Sequence, residues 1–234
     1  VIFEHRLYLP LAGFSLVIVA FMGRAFFQSG NLEWAKRCRR NASLGLIGLV
    51  ILLLMAGAYK RNFVWMDDET LWSDVTAKSN GKARGHYNLG LAYALKGKHD
   101  QALSAYGEAL RISPKKVEAL HNIGVVYFEQ GKTEQAVNQY QKALRIQPDY
   151  ADAHFNLGVA LAKQGNEKEA LAHYMKVLEL KPGYAEAHNN LAVYYFYKKD
   201  FTQAAHHLEQ ALAQGFAVHP EFVKLMEPFM KRGK

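Results

Sequence analysis

The chain has 234 residues, half of them hydrophobic, and a formal net charge of +8, enough for one or two domains with a substantial core. Its single cysteine, Cys38, excludes an internal disulfide and a four-cysteine zinc site. The charge is uneven: residues 1–66 hold eight bases against two acids and the remainder 21 against 19. The excess therefore flanks apolar segments instead of covering one folded face, and no nucleic-acid partner is expected.

Val1 opens the chain without the pattern of a signal peptide, and a fragment of a longer protein is expected. Residues 1–62 read as a membrane region with two transmembrane helices. The first covers about 8–27, with Pro10 near its start and Arg24 near its end, where the guanidinium can snorkel to an interface. The second covers 42–59, eighteen uncharged residues apolar around the whole helix circumference. The alternative is a pair of core helices. Between the two stretches a short loop carries Trp34, Lys36, Arg37, Arg39 and Arg40, which puts it on the cytoplasmic side. The expectation is an integral membrane protein with the lipid bilayer as a partner, in a bacterial inner membrane, with everything after Lys60 in the periplasm or a lumen.

Residues 63–82 read as a linker and an N-terminal capping helix. Asp67 or Asp68 caps it, and it presents Leu71, Trp72 and Val75.

From Ala83 the chain repeats itself at a fixed period, in units 83–116, 117–150, 151–184 and 185–218. Leu89-Gly90, Ile123-Gly124, Leu157-Gly158 and Leu191-Ala192 mark one place; Ala102, Ala136, Ala170 and Ala204 another; Tyr106, Tyr140, Tyr174 and Leu208 a third. Pro114, Pro148 and Pro182 close the first three units. The pattern resembles the tetratricopeptide repeat, which implies two antiparallel helices per unit and an α-solenoid. The small Gly and Ala allow the helices of a unit to approach closely, and the large Tyr and Leu fill the space between units. Gly97, Gly131 and Gly165 end the first helices in a left-handed conformation. The fourth unit departs at Ala192, Lys199 and Phe216, as a terminal unit does. Residues 219–234 read as a capping helix started by Pro220, with Phe222, Met226 and Phe229 on one face, and a tail. The fold class is thus all-α: two transmembrane helices, then a solenoid of four repeats plus a C-terminal cap.

The sixth residue of every unit is asparagine: Asn88, Asn122, Asn156 and Asn190. This ladder resembles the one in the repeats of O-linked N-acetylglucosamine transferase, where such side chains hold an extended peptide by its backbone. An amide both donates and accepts, so it can pair with a peptide group of any sequence. The competing reading is an asparagine that bonds locally. Tyr87, His121, Phe128, Phe155, Phe196 and Tyr197 complete the expected peptide-binding lining. It lacks the paired Lys and Asn residues of chaperone-binding repeats, which disfavours a chaperone cofactor.

No catalytic residue, metal site or cofactor is expected. His86, His154 and His188 share one repeat position, which makes their spacing architectural. Phosphate loops, nucleophile elbows and a His-Glu-x-x-His motif are missing from the sequence.

Glu4-His5-Arg6-Leu7-Tyr8-Leu9-Pro10, followed by Trp65, Asp67, Glu69, Leu71-Trp72 and Asp74 leading into Arg84, His86 and Asn88-Leu89-Gly90, resembles the C-terminal part of the transmembrane and TPR-containing O-mannosyltransferase family. The resemblance implies an extracytoplasmic enzyme using lipid-linked sugars, whose catalytic acids lie upstream of anything present here. Two functions follow: a membrane-anchored scaffold that binds peptides or protein partners in its concave groove, or the substrate-presenting tail of a membrane glycosyltransferase. The sequence leaves the partner and the oligomeric state undefined.

Overall fold

The computed structural model describes residues 33–64, 67–79 and 81–230, and these residues are helical with short turns. They fall into two units, divided between Asp67 and Asp68.

In the first unit a single helix, α1 (Glu33–Val64), is described. Residues 33–41, expected as a loop between spans, are helical and continuous with the apolar run; they contain no Gly or Pro to interrupt it. Leu46, Leu49, Leu52, Leu53 and Met55 are exposed along it. Among the described residues no helix is long and apolar enough to cross a membrane. This overturns the integral-membrane location and the second span expected at 42–59. The eighteen uncharged residues sit at the lower limit of the ~17–25 that a span takes, with Arg40 and Lys60 close on either side. The cytoplasmic loop and the assignment of the array to a periplasm or lumen rested on that span and fall with it. The stretch 8–27, including Arg24, lies outside the described residues.

The second unit starts with α2 (Asp68–Lys78), followed by four helix pairs: α3 (Ala83–Leu95) with α4 (His99–Ile112), α5 (Val117–Glu129) with α6 (Thr133–Ile146), α7 (Ala151–Lys163) with α8 (Glu167–Leu180), and α9 (Ala185–Tyr197) with α10 (Phe201–Ala213). A short helix, α11 (Pro220–Met226), follows. From α2 to α11 each helix packs on the next, and α5 also touches α7, so these two first helices are neighbours on one side of the stack.

The close approach inside each pair has a definite cause. A Cβ built on Gly90 would stand 2.5 Å from the ring of Tyr106, one on Gly124 2.5 Å from Tyr140, and one on Gly158 2.7 Å from Tyr174. These distances are well inside van der Waals contact, so only hydrogen fits at the three positions. In the fourth pair Leu208 replaces the tyrosine and Ala192 replaces the glycine, both fully buried. The tyrosines also reach the next pair: Tyr106 packs with Ile123 and Val126, and Tyr140 and Tyr174 share one core with Leu157, Leu161 and Leu191.

The turn inside each pair is set by one left-handed residue. Gly97, Gly131 and Gly165 have φ of 69°, 75° and 83°. The N–H just past that glycine then donates to a carbonyl in the last turn of the first helix, as from Lys98 to Tyr93 (2.9 Å), Lys132 to Tyr127 (2.8 Å) and Asn166 to Leu161 (2.9 Å). The fourth unit makes the same bond, Asp200 to Tyr195 (3.0 Å), but Lys199 holds the left-handed place at φ 62°. In the first three units the second helix stops just short of the closing proline.

Both ends continue the register. Trp72 and Val75 of α2 hold the places of Tyr106 and Ala109 one repeat earlier, so α2 stands where the second helix of a preceding unit would. Glu69 joins it to the α3–α4 turn through Lys96 (2.9 Å) and Lys98 (2.7 Å), and these ammonium groups hold its carboxyl below the usual range. At the other end Met226 stands in the glycine register but is buried against Ala192, Ala204, Ala205 and Leu208 of the preceding unit. Phe222 meets Phe196 edge-on (5.5 Å) and Phe229 stacks on Phe201 (4.6 Å).

Gly124→Ala is expected to lower stability by about 1 to 2 kcal/mol, because the clash with Tyr140 outweighs the gain in helix propensity. Combining it with Tyr140→Leu, the pair found in the fourth unit, should cost less than the sum of the two single changes by roughly 0.5 kcal/mol or more. Urea midpoints of the four proteins check this. Lys199→Gly should raise stability by about 1 kcal/mol in the same assay by removing the left-handed penalty.

Candidate peptide-binding surface

The first helices α3, α5, α7 and α9 carry the asparagine ladder at equivalent places, so the four amides recur once per unit. Asn88, Asn122, Asn156 and Asn190 are all half-buried. Helical periodicity puts an aliphatic row one turn further on, Leu91, Val125, Val159 and Val193, on the same side of these helices; it too is half-buried.

Three units are linked by one hydrogen-bonded chain. Asn122 Nδ2 donates to the Tyr87 hydroxyl (3.2 Å), the His121 Nδ1 and Asn122 Oδ1 are 3.1 Å apart, and Asn156 Nδ2 and His121 Nε2 are 2.7 Å apart. An amide oxygen only accepts and an amide nitrogen only donates, so His121 is protonated on Nδ1 and accepts at Nε2. The amide orientations are fixed together: each Nδ2 points toward the preceding unit. The asparagines thus tie the seams between units, which is the local bonding that competes with a peptide-binding role. Asn156 uses one N–H on His121.

The expected lining separates into groups. Tyr87 carries the Lys116 ammonium over its ring (4.5 Å), and Phe128 carries that of Lys163 (4.7 Å). His121 is buried between Tyr140 (5.7 Å) and Tyr150 (5.3 Å), and Phe155 lies between Tyr174 (6.1 Å) and Tyr184 (5.1 Å). Phe196 belongs to the cluster that receives α11. Tyr197 is 76% exposed. Tyr87, Asn122, His121 and Asn156 therefore share one neighbourhood, and Phe196 and Tyr197 lie at the C-terminal end.

Two of the three histidines noted for their spacing form pairs. His154 and His173 face each other through Nδ1 atoms 2.9 Å apart, and so do His188 and His207. The partners at 173 and 207 themselves share one repeat position, a signal present in the sequence that metal-ligand spacing does not capture. Among the described residues no group of three or more His, Cys, Asp or Glu is placed to hold a metal ion.

Paired antiparallel helices stacked in a constant register, with a glycine–tyrosine contact inside each of the first three pairs, define an α-solenoid scaffold of the protein-binding kind. Tetratricopeptide-repeat families match residues 90–131, 124–165, 151–184 and 185–213, together more than half of the chain. The chain belongs to the tetratricopeptide-repeat family. It is 27% identical over 120 residues to human protein O-mannosyl-transferase TMTC1 and 28% identical over 118 residues to Drosophila melanogaster Tmtc2. The aligned part is 51% and 50% of this chain but spans only 13% and 12% of those proteins. Among solved structures it resembles pilF of Pseudomonas aeruginosa (18% identity, TM-score 0.62, covering 75% of this chain and 82% of that one). It also resembles YrrB, described as a TPR protein with an unusual peptide-binding site (22% identity, TM-score 0.54, covering 78% and 90%). At these identities the likeness is one of fold.

Burial holds the His121 ring below the usual imidazole range, with the Asn122 bond and the Asp152 charge opposing more weakly. The neutral ring is the folded form, so stability held above pH ~6.5 should decline as pH falls below it. An NMR titration should give His121 a midpoint below 6.5; a midpoint at or above that value would mean a solvated ring.

Proposed function

We propose that this chain is a scaffold that captures extended, unstructured polypeptide along its first helices, with the asparagine ladder pairing to the peptide backbone. Asn88, Asn122, Asn156 and Asn190 supply amides at a fixed repeat, and the Leu91, Val125, Val159 and Val193 row supplies apolar contact beside them. Tyr87, Phe128 and Phe155 act as aromatic anchors, with His121 as the hinge of the amide chain and Phe196 and Tyr197 at the far end. The observation that carries the reading is the shared orientation of the Asn122 and Asn156 amides, each with its Nδ2 turned toward the preceding unit. Amides already fixed by neighbours lose little conformational freedom on binding, which favours capture.

The ladder's bonds at the seams determine how it must be tested. Asn156→Ala removes one seam bond and one amide; Asn122→Ala with Asn156→Ala removes two of each. The double variant should keep its helical circular dichroism and bind a fluorescent unstructured peptide about tenfold more weakly, the loss of one to two hydrogen bonds. Unchanged affinity in a folded double variant would refute the ladder as the binding element. A photoreactive residue at Phe128 or Phe155 then identifies the captured polypeptide.

The similarity to the two O-mannosyl-transferases favours a second reading: a substrate-presenting portion of a longer glycosyltransferase, with the catalytic groups outside this chain. Sequence upstream of Val1 discriminates, since an acidic catalytic loop in the same reading frame supports it and a start codon close by removes it.

A further inference from the structure

The two histidine pairs have no part in the amide ladder. Each joins a first helix to the second helix of its own unit: His154 on α7 to His173 on α8, and His188 on α9 to His207 on α10. The outer nitrogen of each first-helix ring is held as well. His154 Nε2 lies 2.8 Å from the Pro148 carbonyl, and His188 Nε2 lies 2.9 Å from the Pro182 carbonyl. A carbonyl can only accept, so both Nε2 atoms carry hydrogen. In a neutral ring the Nδ1 is then the acceptor, and the hydrogen between the paired rings comes from Nδ1 of His173 or His207. Ring centroids 5.1 and 5.2 Å apart, with the nitrogens 2.9 Å apart between them, mean that the rings point at each other head-on. Two neutral rings satisfy this geometry. A first proton leaves the N–H···N bond in place but puts a cation in a buried site; a second would set N–H against N–H with like charges in contact.

We propose that His154–His173 and His188–His207 are acid-released latches that hold the two helices of the third and fourth units together. Acidification then loosens the C-terminal half of the array at these two points. The inference stands apart from the peptide-binding reading, because it concerns helix pairing alone.

The surroundings favour the neutral form. Burial and the facing His154 lower the affinity of His173 for a proton, with Glu169 on the same helix working the other way. Burial brings His207 down to about 4, helped by His188 across the pair and His206 beside it. On the α9 side the ring of Tyr195 stacks on His207 at 5.6 Å. The unfolded chain takes up protons below pH ~6.5 that His173 and His207 refuse in the folded state, so the stability they contribute is complete above that pH and falls below it. The other two units lack the pair: opposite His86 stands Ala105, and opposite Leu120 stands Gln139. His121 in the second unit is also buried and held neutral, so that unit shares some acid sensitivity and the first unit is the reference for comparison.

Hydrogen exchange of the intact chain, corrected for intrinsic rates, tests the latch. Between about pH 7 and about pH 5, protection in α7 to α10 should fall more than in α3 and α4, by about tenfold or more in α9 and α10, where His207 lies at about 4. His173→Gln should cancel the excess in α7 and α8 only, and His207→Gln in α9 and α10 only. Glutamine already occupies the partner place in the second unit and can accept or donate toward the remaining imidazole. An equal loss in all four units, or an excess that persists in both variants, would overturn the proposal.

Discussion

The contact of a tyrosine ring on a glycine Cα within a helix pair is the constraint from which the array follows. It lets the paired helices approach closely, leaving no room for a Cβ. The same ring then projects past its own unit into the next, where Ile123, Val126, Leu157 and Leu191 receive it. Pairing within a unit and stacking between units are therefore one interaction seen from two sides. This agrees with the general behaviour of solenoids, whose stability comes from repeat-plus-neighbour terms and not from one central core.

A stack built this way has two open ends, and the chain treats them differently. At the N-terminal end α2 repeats the second-helix register, with Trp72 in the tyrosine place, and is fastened by the Glu69 pairs to Lys96 and Lys98. Glu69 belongs to a surface network, so its fastening is weaker than the apolar contact it accompanies. At the C-terminal end Met226 stands in the glycine register with no exposure at all. A side chain of that size facing the preceding unit fills the place that a further interlocking pair would need.

The repeat, its helix pairs, the left-handed glycines and the capping role of Phe222 and Met226 were legible because each depends on a small residue, a large residue or a chain-breaker at a fixed place. The reading of 42–59 as a span took a charge-free run at the lower limit of a span's length as sufficient, and among the described residues no helix is long and apolar enough to cross a membrane. The asparagines were legible as a ladder but not as seam bonds, since their partners, Tyr87 and His121, lie a full repeat back on the neighbouring unit. His173 and His207 were equally visible, the one as far along the chain from His154 as the other is from His188. Their meaning needed the head-on geometry, which spacing alone does not convey.

The fourth unit gathers the departures. Its small-and-large pair is Ala192 with Leu208, its turn is held by Lys199, its aromatic place holds Asn189, and Phe196 is turned to the capping helix. Each change suits a unit with a neighbour on one side only. Leucine does not reach as far as tyrosine, and among the described residues α11 packs against this unit. The amide chain from Tyr87 through Asn122 and His121 to Asn156 spans the first three units, which keep the tyrosine and the glycine. The regular part of the scaffold and the polar chain thus coincide, because both need every unit to meet the next in the same way.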